Sequence, residues 1–217
     1  MATTRQTLQD YYRDLRRRYG PQRWWPAETP FEVMVGAILT QNTAWSNVEK
    51  AIATLKAYGL LDPGRILETD EETLGLAIRS AGTFRIKARR LRAFVRWYVD
   101  RGGTPRKLRA LGLSTLREEL LAISGIGPET ADSILLYGLG LPTFVVDRYT
   151  WRVLTRHALA PEETAYDEMK EIFEGNLERK ASLFNEYHAL IVKVGKEHCG
   201  ARAKCEGCPL EGRLPGK

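Results

Sequence analysis

SGIGPETADSILLYGLGLPTFVVDRYTWRV, residues 124–153, decides the predicted fold. A short turn with two glycines separates two helical segments, and an apolar run then leads to one aspartate. Gly125 and Gly127 can adopt backbone angles closed to other residues, and Pro128 presets the first turn of the next helix. The turn therefore predicts a tight corner whose free amides form an anion site at a helix N-terminus. A corner without any ligand explains the two glycines equally well.

Helical periodicity covers most of the remaining chain, and no segment alternates like a hairpin strand. We predict an all-α protein of two lobes, 27–141 and 1–26 with 142–217, and we assign Trp97 and Trp151 to the core. The predicted helices cover residues 7–18, 31–39, 45–58, 70–82, 86–98, 114–123, 129–139, 147–157, 161–176 and 182–194.

The charge of the chain is compatible with a polyanionic partner. The 217 residues carry a formal net charge of +6, although many proteins of such charge bind no polyanion. No apolar run approaches the roughly 20 residues that span a bilayer, and the N-terminus has no apolar core like that of a signal peptide. We therefore expect a cytoplasmic monomer, nucleoid-associated if bacterial, with no membrane contact.

Three cysteines, Cys199, Cys205 and Cys208, are the only ones in the chain and fall within ten residues. Such clustering argues against a disulfide framework and favours a metal site.

Four stretches together resemble the endonuclease III-like superfamily of helix-hairpin-helix DNA glycosylases, over residues 24–210. The stretch LLAISGIGPETADSILLYGLGLPTFVVDRYTWRV resembles the hairpin and its following loop, and GAILTQNTAWSNVEKAI a Gln-rich helix start. SAGTFRIKARRLRAF resembles a second DNA-facing turn, and HALIVKVGKEHCGARAKCEGCPL the C-terminal cysteine loop. The resemblance implies a two-lobed helical enzyme of base excision repair, whose partner is double-stranded DNA with a damaged base in a cleft between the lobes.

The resemblance also implies which residues hold the DNA. Gly125, Gly127, Thr130 and Lys87 would contact phosphates. Gln41 would fill the hole left by the flipped base, although a helix cap explains it equally well. Lys87 belongs to a basic run with Arg89, Arg90 and Arg92, of which we expect one or two to touch phosphates and the rest to be solvated.

Asp147 follows the apolar run and begins a helix, where it would accept amide hydrogen bonds as a cap. In the superfamily, the matching aspartate supports cleavage of the bond between base and sugar. Departure of the base leaves positive charge on the sugar, which a nearby carboxylate stabilises. Because a helix N-terminus favours negative charge, capping and catalysis can coexist.

Bifunctional members of the superfamily carry a lysine just after the hairpin glycines, which forms a Schiff base with the sugar. Glu129 stands at that position here, so no Schiff base can form there. We predict a monofunctional glycosylase that leaves an abasic site. Lys196 is the nearby lysine that could substitute.

RWWPAETPFEVMVGAILTQNTAW is similar to the 3-methyladenine-DNA glycosylase branch of the endonuclease III family. The resemblance implies a base pocket whose indole faces stack on an electron-poor alkylated purine, which must first be extruded from the duplex. The pocket residues would be Trp24, Trp25, Pro26, Trp45 and Lys196. For Trp24 and Trp25 taken alone, ordinary core positions are the simpler reading.

The chain also departs from that branch. Its best-known type lacks the cysteine loop and carries a lysine where Leu190 stands here. The alternative is therefore an endonuclease III-like glycosylase for oxidised pyrimidines or mismatched thymine, with or without lyase activity. A DNA-binding module without catalysis is the alternative of another class.

The cysteine loop has the spacing Cys199-x5-Cys205-x2-Cys208. The superfamily's iron–sulfur loop has four cysteines, and the fourth, expected near Leu214, is missing. Three interpretations of this loop are open. It holds a [4Fe-4S] cluster on three thiolates and an outside ligand, it holds zinc with the help of His198, or it holds no metal.

Overall fold

The computed structural model describes residues 3–22, 24–25 and 27–214, and within these ranges it contains twelve α-helices and no strand. The all-α prediction is thereby confirmed. The helices are α1 Thr4–Tyr19, α2 Pro30–Leu39, α3 Trp45–Ala57, α4 Pro63–Glu68, α5 Glu71–Ala77, α6 Phe84–Asp100, α7 Pro105–Arg109, α8 Leu113–Ala122, α9 Pro128–Ser133, α10 Arg148–Arg156, α11 Tyr166–Glu174 and α12 Ala181–Glu197. None of the helices described is long and apolar enough to cross a membrane.

The sequence missed two short helices and the start of a third. The helices α4 and α7 have six and five residues, too few to show apolar periodicity, although Asp62 and Thr104 cap them and each has a proline in its first turn. The helix α11 begins at Tyr166 rather than at 161. After Ser133, α9 continues as the π-helical turn Ile134–Gly138.

The chain divides into two compact units. Ala27–Leu141 contains α2 to α9, with α6 against α4 and α5, and α2 against α3 and the π-helical turn. Met1–Pro26 and Pro142–Lys217 form the other unit, in which α12 packs against α1 and α10. In that unit α12 approaches α10 so closely that a Cβ atom added at Gly195 would lie 2.3 Å from the Tyr149 ring.

Lys87 is buried in the first of these units, which corrects the predicted DNA contact. Its side chain is 1% exposed, and its ammonium donates hydrogen bonds to the carbonyls of Leu39, at 2.8 Å, and Ala81, at 2.5 Å. Both carbonyls stand at helix ends, where no backbone amide is left to satisfy them. Lys87 therefore stabilises the fold and is not available to bind a phosphate.

The rest of the basic run on α6 is largely engaged as well. Arg92 donates to the carbonyls of Ile66, at 3.1 Å, and Leu67, at 3.2 Å, at the end of α4. Arg89 lies 3.6 Å from the carboxylate of Glu71. Arg92 therefore acts within the unit, whereas the side chain of Arg89 is 63% exposed.

The two tryptophans assigned to the core are both half-buried, so that assignment is wrong. The indole of Trp97 donates to Glu119 at 2.8 Å, and that of Trp151 donates to the carbonyl of Glu162 at 3.1 Å. Each indole N–H thus reaches an acceptor near the surface, as is common for this amphipathic side chain.

We predict that Lys87 makes stability depend on pH. Burial, together with the charge of Arg90, lowers the pKa of Lys87 from 10.5 to about 8. Between these two values the unfolded chain holds more protons than the folded one, so the free energy of unfolding rises with pH. Relative to Lys87→Met, the wild type should gain up to about 3 kcal/mol across this window, at about 1.4 kcal/mol per pKa unit.

Urea unfolding of both proteins at several pH values measures this difference. Parallel stability curves from pH 8 to 10.5 would contradict the burial of the ammonium.

Candidate active site and hairpin

The backbone that leads to Asp147 is anchored by buried polar contacts. Phe144 donates its amide to the carboxylate of Glu174 at 2.7 Å, and its ring stacks on Phe173 with centroids 3.8 Å apart. Val146 donates its amide to the hydroxyl of Tyr166 at 3.3 Å. Because α11 supplies all three partners, it fixes where this connector ends.

Asp147 caps α10 and keeps one carboxylate oxygen for another partner. Its Oδ1 accepts the amide of Thr150 at 2.7 Å, and its Oδ2 lies 3.7 Å from Nε2 of His188. Burial raises the pKa of this carboxyl, but the charge and hydrogen-bonding capacity of His188 and the amide of Thr150 lower it by more, so the pKa lies below its ordinary value. The side chain is still 16% exposed. The site therefore holds an ionised, partly accessible carboxylate at neutral pH.

Trp24 extends this arrangement within the same unit. Its ring meets His188 edge-on with centroids 6.4 Å apart, and Nζ of Lys196 lies 5.8 Å from its ring centroid. The indole nitrogen is buried and has no hydrogen-bond partner among the described residues. Because a buried donor without an acceptor is unfavourable, this N–H is available to a ligand.

The remaining predicted pocket residues are Trp25, Pro26 and Trp45. Trp25 is half-buried with a left-handed φ of 70°. Such an angle is uncommon outside glycine and often marks a functional site. Pro26 lies outside the described residues. Trp45 belongs to the unit Ala27–Leu141, where its half-buried indole donates to Glu49 at 2.9 Å.

The hairpin between α8 and α9 matches the predicted corner only in part. Gly125 has φ +85°, as the prediction requires. Gly127 has φ −92° and ψ 178°, ordinary extended backbone, so its predicted special angle is wrong. The amide of Ile126 is bound to the carbonyl of Ile123, whereas those of Gly125 and Gly127 have no acceptor among the residues described. Two amides of the turn are thus available to an anion.

Gln41 is docked on this hairpin. Its amide nitrogen donates to the carbonyl of Gly125 and to the hydroxyl of Thr130, both at 2.9 Å, and its amide oxygen accepts from Arg90 at 2.6 Å. In this arrangement its side chain caps no helix. Thr130 is buried, and its hydroxyl serves Gln41, which corrects the phosphate contact predicted for that side chain.

The cysteine loop follows α12 and surrounds a small cavity. Cys199, Cys205, Cys208 and Leu214 all line this cavity of about 220 Å³. Arg156 donates to the sulfur of Cys199 at 3.1 Å and to the carbonyl of Gly200 at 2.9 Å, which ties the loop to α10. Within the described ranges, no three His, Cys, Asp or Glu side chains converge as ligands of one metal ion.

Two residues of these arrangements were missed by the sequence analysis. His188 and Glu174 touch Asp147 and its connector, respectively. One signal was visible for His188, because a single histidine interrupts the apolar face of α12. Glu174 lies in a charged helical stretch where nothing distinguishes it from solvated residues. Arg90 was named as a member of the basic run, but its contact with Gln41 was not foreseen.

Comparison with known proteins places the chain in one family. Residues 35–179 match the model of the HhH-GPD superfamily base excision DNA repair protein. A relative from Methanocaldococcus jannaschii, named provisionally as a DNA repair glycosylase, is 48% identical over 202 residues, 92% of each chain. Endonuclease III of Rickettsia conorii is 29% identical over 83% of this chain and 81% of its own length.

Among solved structures, the 3-methyladenine DNA glycosylase MagIII of H. pylori, bound to 1,N6-ethenoadenine, is similar with a TM-score of 0.77. It is 28% identical and matches 90% of this chain and 98% of its own. The resemblance drawn from the sequence motifs is thereby confirmed at the level of the superfamily.

We predict different responses of the two hairpin glycines to alanine. At Gly125 a Cβ atom would meet Nε of Arg90 at 2.3 Å in a backbone conformation unfavourable to alanine, so Gly125→Ala should cost about 1–3 kcal/mol of stability. Gly127 is the matched control, because no atom lies within 4 Å of its added Cβ. Gly127→Ala should change stability by less than about 0.5 kcal/mol, since a weaker N-cap offsets the gain in chain entropy.

Denaturant unfolding of both variants tests this difference. Equal losses would show that the hairpin does not depend on the left-handed angle at Gly125.

Proposed function

We propose that this chain, which belongs to the HhH-GPD superfamily of base excision DNA repair proteins, is a monofunctional DNA glycosylase that removes alkylated purines from double-stranded DNA. Asp147 carries the proposal: a partly exposed carboxylate whose pKa is held below its ordinary value, at a helix N-terminus, in one cluster with an indole.

The chemistry needs a negative charge that is already in place. Breaking the bond between base and deoxyribose leaves positive charge on the sugar, and a fixed carboxylate stabilises that charge without reorganisation. Oδ1 of Asp147 is engaged by Thr150, which leaves Oδ2 to face the sugar or to orient a water molecule.

The preference for alkylated purines rests on the indole and on the MagIII relationship. Trp24 offers a flat apolar face and a buried donor without a protein partner, which suits a flipped purine. Lys196 lies beside this ring, with Nζ 5.8 Å from its centroid. The ligand of MagIII, 1,N6-ethenoadenine, is an alkylated purine and thus of the proposed substrate class. Trp25, Pro26 and Trp45 stay proposed pocket residues on the resemblance alone.

DNA binding is proposed for the hairpin. The available amides of Gly125 and Gly127 suit a phosphate oxygen, and Gln41 stands beside them. If Gln41 fills the hole left by the flipped base, it must first release its hydrogen bonds to the hairpin and to Arg90.

Monofunctional action is proposed because Glu129, exposed after the hairpin glycines, offers no amine for a Schiff base. Hydrolysis with the aid of Asp147 would then end at an abasic site.

A [4Fe-4S] cluster is the cofactor we propose for the cysteine loop. The donor set fits a cluster in part, because three thiols surround one cavity and Arg156 supplies a hydrogen bond to the sulfur of Cys199. A single zinc ion would need converging ligands, so the geometry gives the zinc reading no support. Leu214, near the expected fourth cysteine, lines the same cavity. The cluster would serve the structure of the loop.

We predict that the wild type releases free base from duplexes containing 1,N6-ethenoadenine or 3-methyladenine. Asp147→Asn should lower the single-turnover rate by about 100-fold or more, because the charge is lost. The asparagine can still cap α10, so folding and DNA affinity should persist. Liquid chromatography of released bases, with melting and DNA-binding controls, measures these effects.

The substrate panel also contains oxidised pyrimidines and mismatched thymine. Release of only those bases would overturn the alkylated-purine proposal. No release from any duplex, with DNA binding unchanged in Asp147→Asn, would favour a binding module without catalysis. A protein–DNA adduct trapped by borohydride would contradict monofunctional action and point to Lys196.

We predict that protein purified without oxygen is brown and contains iron and sulfide. Leu214→Cys adds a fourth thiol to the cavity wall, so it should slow the loss of iron to a chelator, whereas Cys208→Ser should accelerate it. Visible absorption during chelation follows both effects. Colourless, iron-free wild-type protein prepared in this way would contradict the cluster.

A further inference from the structure

We infer that His188 is a positioning residue, which holds the charged Asp147 carboxylate in its reactive orientation and links it to Trp24. This inference rests on the proposed function and adds a residue that no sequence motif indicated. It follows from the order of three side chains in one unit, because the imidazole of His188 contacts both the carboxylate of Asp147 and the indole of Trp24.

The imidazole is fixed in place by packing on two sides. His188 is 4% exposed and meets Trp24 edge-on at 6.4 Å and Phe144 edge-on at 6.3 Å, centroid to centroid. Phe144 belongs to the connector that carries Asp147, and it is itself stacked on Phe173. Since neighbouring groups hold the ring, its Nε2 keeps a defined position relative to the carboxylate.

The two carboxylate oxygens have different tasks in this arrangement. Oδ1 is held by the amide of Thr150, so the orientation of the group depends on what faces Oδ2. His188 Nε2 stands 3.7 Å from Oδ2, longer than a hydrogen bond but within the range of an ion pair. His188 thus borders the oxygen that is left for the sugar.

Removing the imidazole should change the pH range in which Asp147 is protonated. A carboxylate in partly buried surroundings loses solvation, and a nearby positive or donor group offsets that loss. Without His188, Asp147 keeps its contacts with Thr150 but loses the group that faces Oδ2, so its protonation should begin at higher pH. A residue that merely filled space would leave the protonation of Asp147 unchanged.

Because His188 also contacts Trp24, its removal should have a second effect. Trp24 is the proposed partner of the flipped base, and His188 separates its edge from Asp147. A base seated on the indole is therefore placed relative to the carboxylate through one rigid ring. Losing that ring should lower the rate of bond cleavage more than the binding of DNA.

Single-turnover excision of 3-methyladenine, followed from acid to neutral pH, tests the inference. This lesion already carries a positive charge, so it needs no protonation and the acid limb reports on the enzyme. We expect His188→Leu to lower the rate at neutral pH by about tenfold and to move the acid limb upward by about one pH unit. His188→Gln, which restores a hydrogen-bond donor, should recover part of both.

Tyr187→Phe is the matched control on the same helix. Tyr187 is buried and donates its hydroxyl to the carbonyl of Leu8 at 2.8 Å, so the variant disturbs the packing of α12 without changing the carboxylate. It should leave the rate and the pH profile unchanged. Titratable groups on the neighbouring elements, such as Tyr149, Tyr166, Glu174 and Lys196, are the same in all variants, so a shift between profiles reports on His188.

Different results would overturn the role of His188 and the proposed function. An active wild type with a folded His188→Leu variant whose acid limb does not move would overturn the role of His188 alone. A wild type that releases no base from any duplex would overturn both. Equal losses in His188→Leu and Tyr187→Phe would show that packing of α12, and not the imidazole, sets the rate.

Discussion

The hydrogen bond from the Thr150 amide to Oδ1 of Asp147 is the interaction on which the candidate site depends. Taking a carboxylate out of water costs several kcal/mol unless partners replace the lost solvation. The N-terminus of α10 and His188 provide that replacement, and Glu174 holds the connector so that the carboxylate arrives in register. A charge that is held ready, instead of being formed during the reaction, suits stabilisation of a sugar cation.

In the unit Ala27–Leu141, which contains the hairpin, charged side chains bind acceptors inside the fold. Lys87 and Arg92 bind carbonyls at helix ends, and Arg90 holds Gln41 against the turn. Lys87 and Arg92 thus satisfy acceptors that the helices leave open. Membership of a basic stretch therefore does not by itself make a side chain available to a polyanion.

The cysteine loop and the proposed base pocket resemble different relatives. Cys199, Cys205 and Cys208 form an incomplete version of the loop that the sequence resemblance associates with endonuclease III. The pocket motif around Trp24 resembles that of 3-methyladenine glycosylases, and MagIII is similar over most of its length. Because the loop is tied to α10 through Arg156, the helix that Asp147 caps also holds the loop in place.

The sequence by itself determined the features that depend on one or two helical turns. Apolar spacing indicated the long helices, the turn indicated a left-handed Gly125, and the position of Asp147 before a helix indicated its cap. Only the tertiary structure decided which polar side chains meet across long stretches of chain: His188 opposite Asp147, Gln41 on the hairpin, and Lys87 beneath two helix ends. Local patterns reflect backbone preferences within a few residues, whereas these pairings arise from helix packing, which no spacing along the chain encodes.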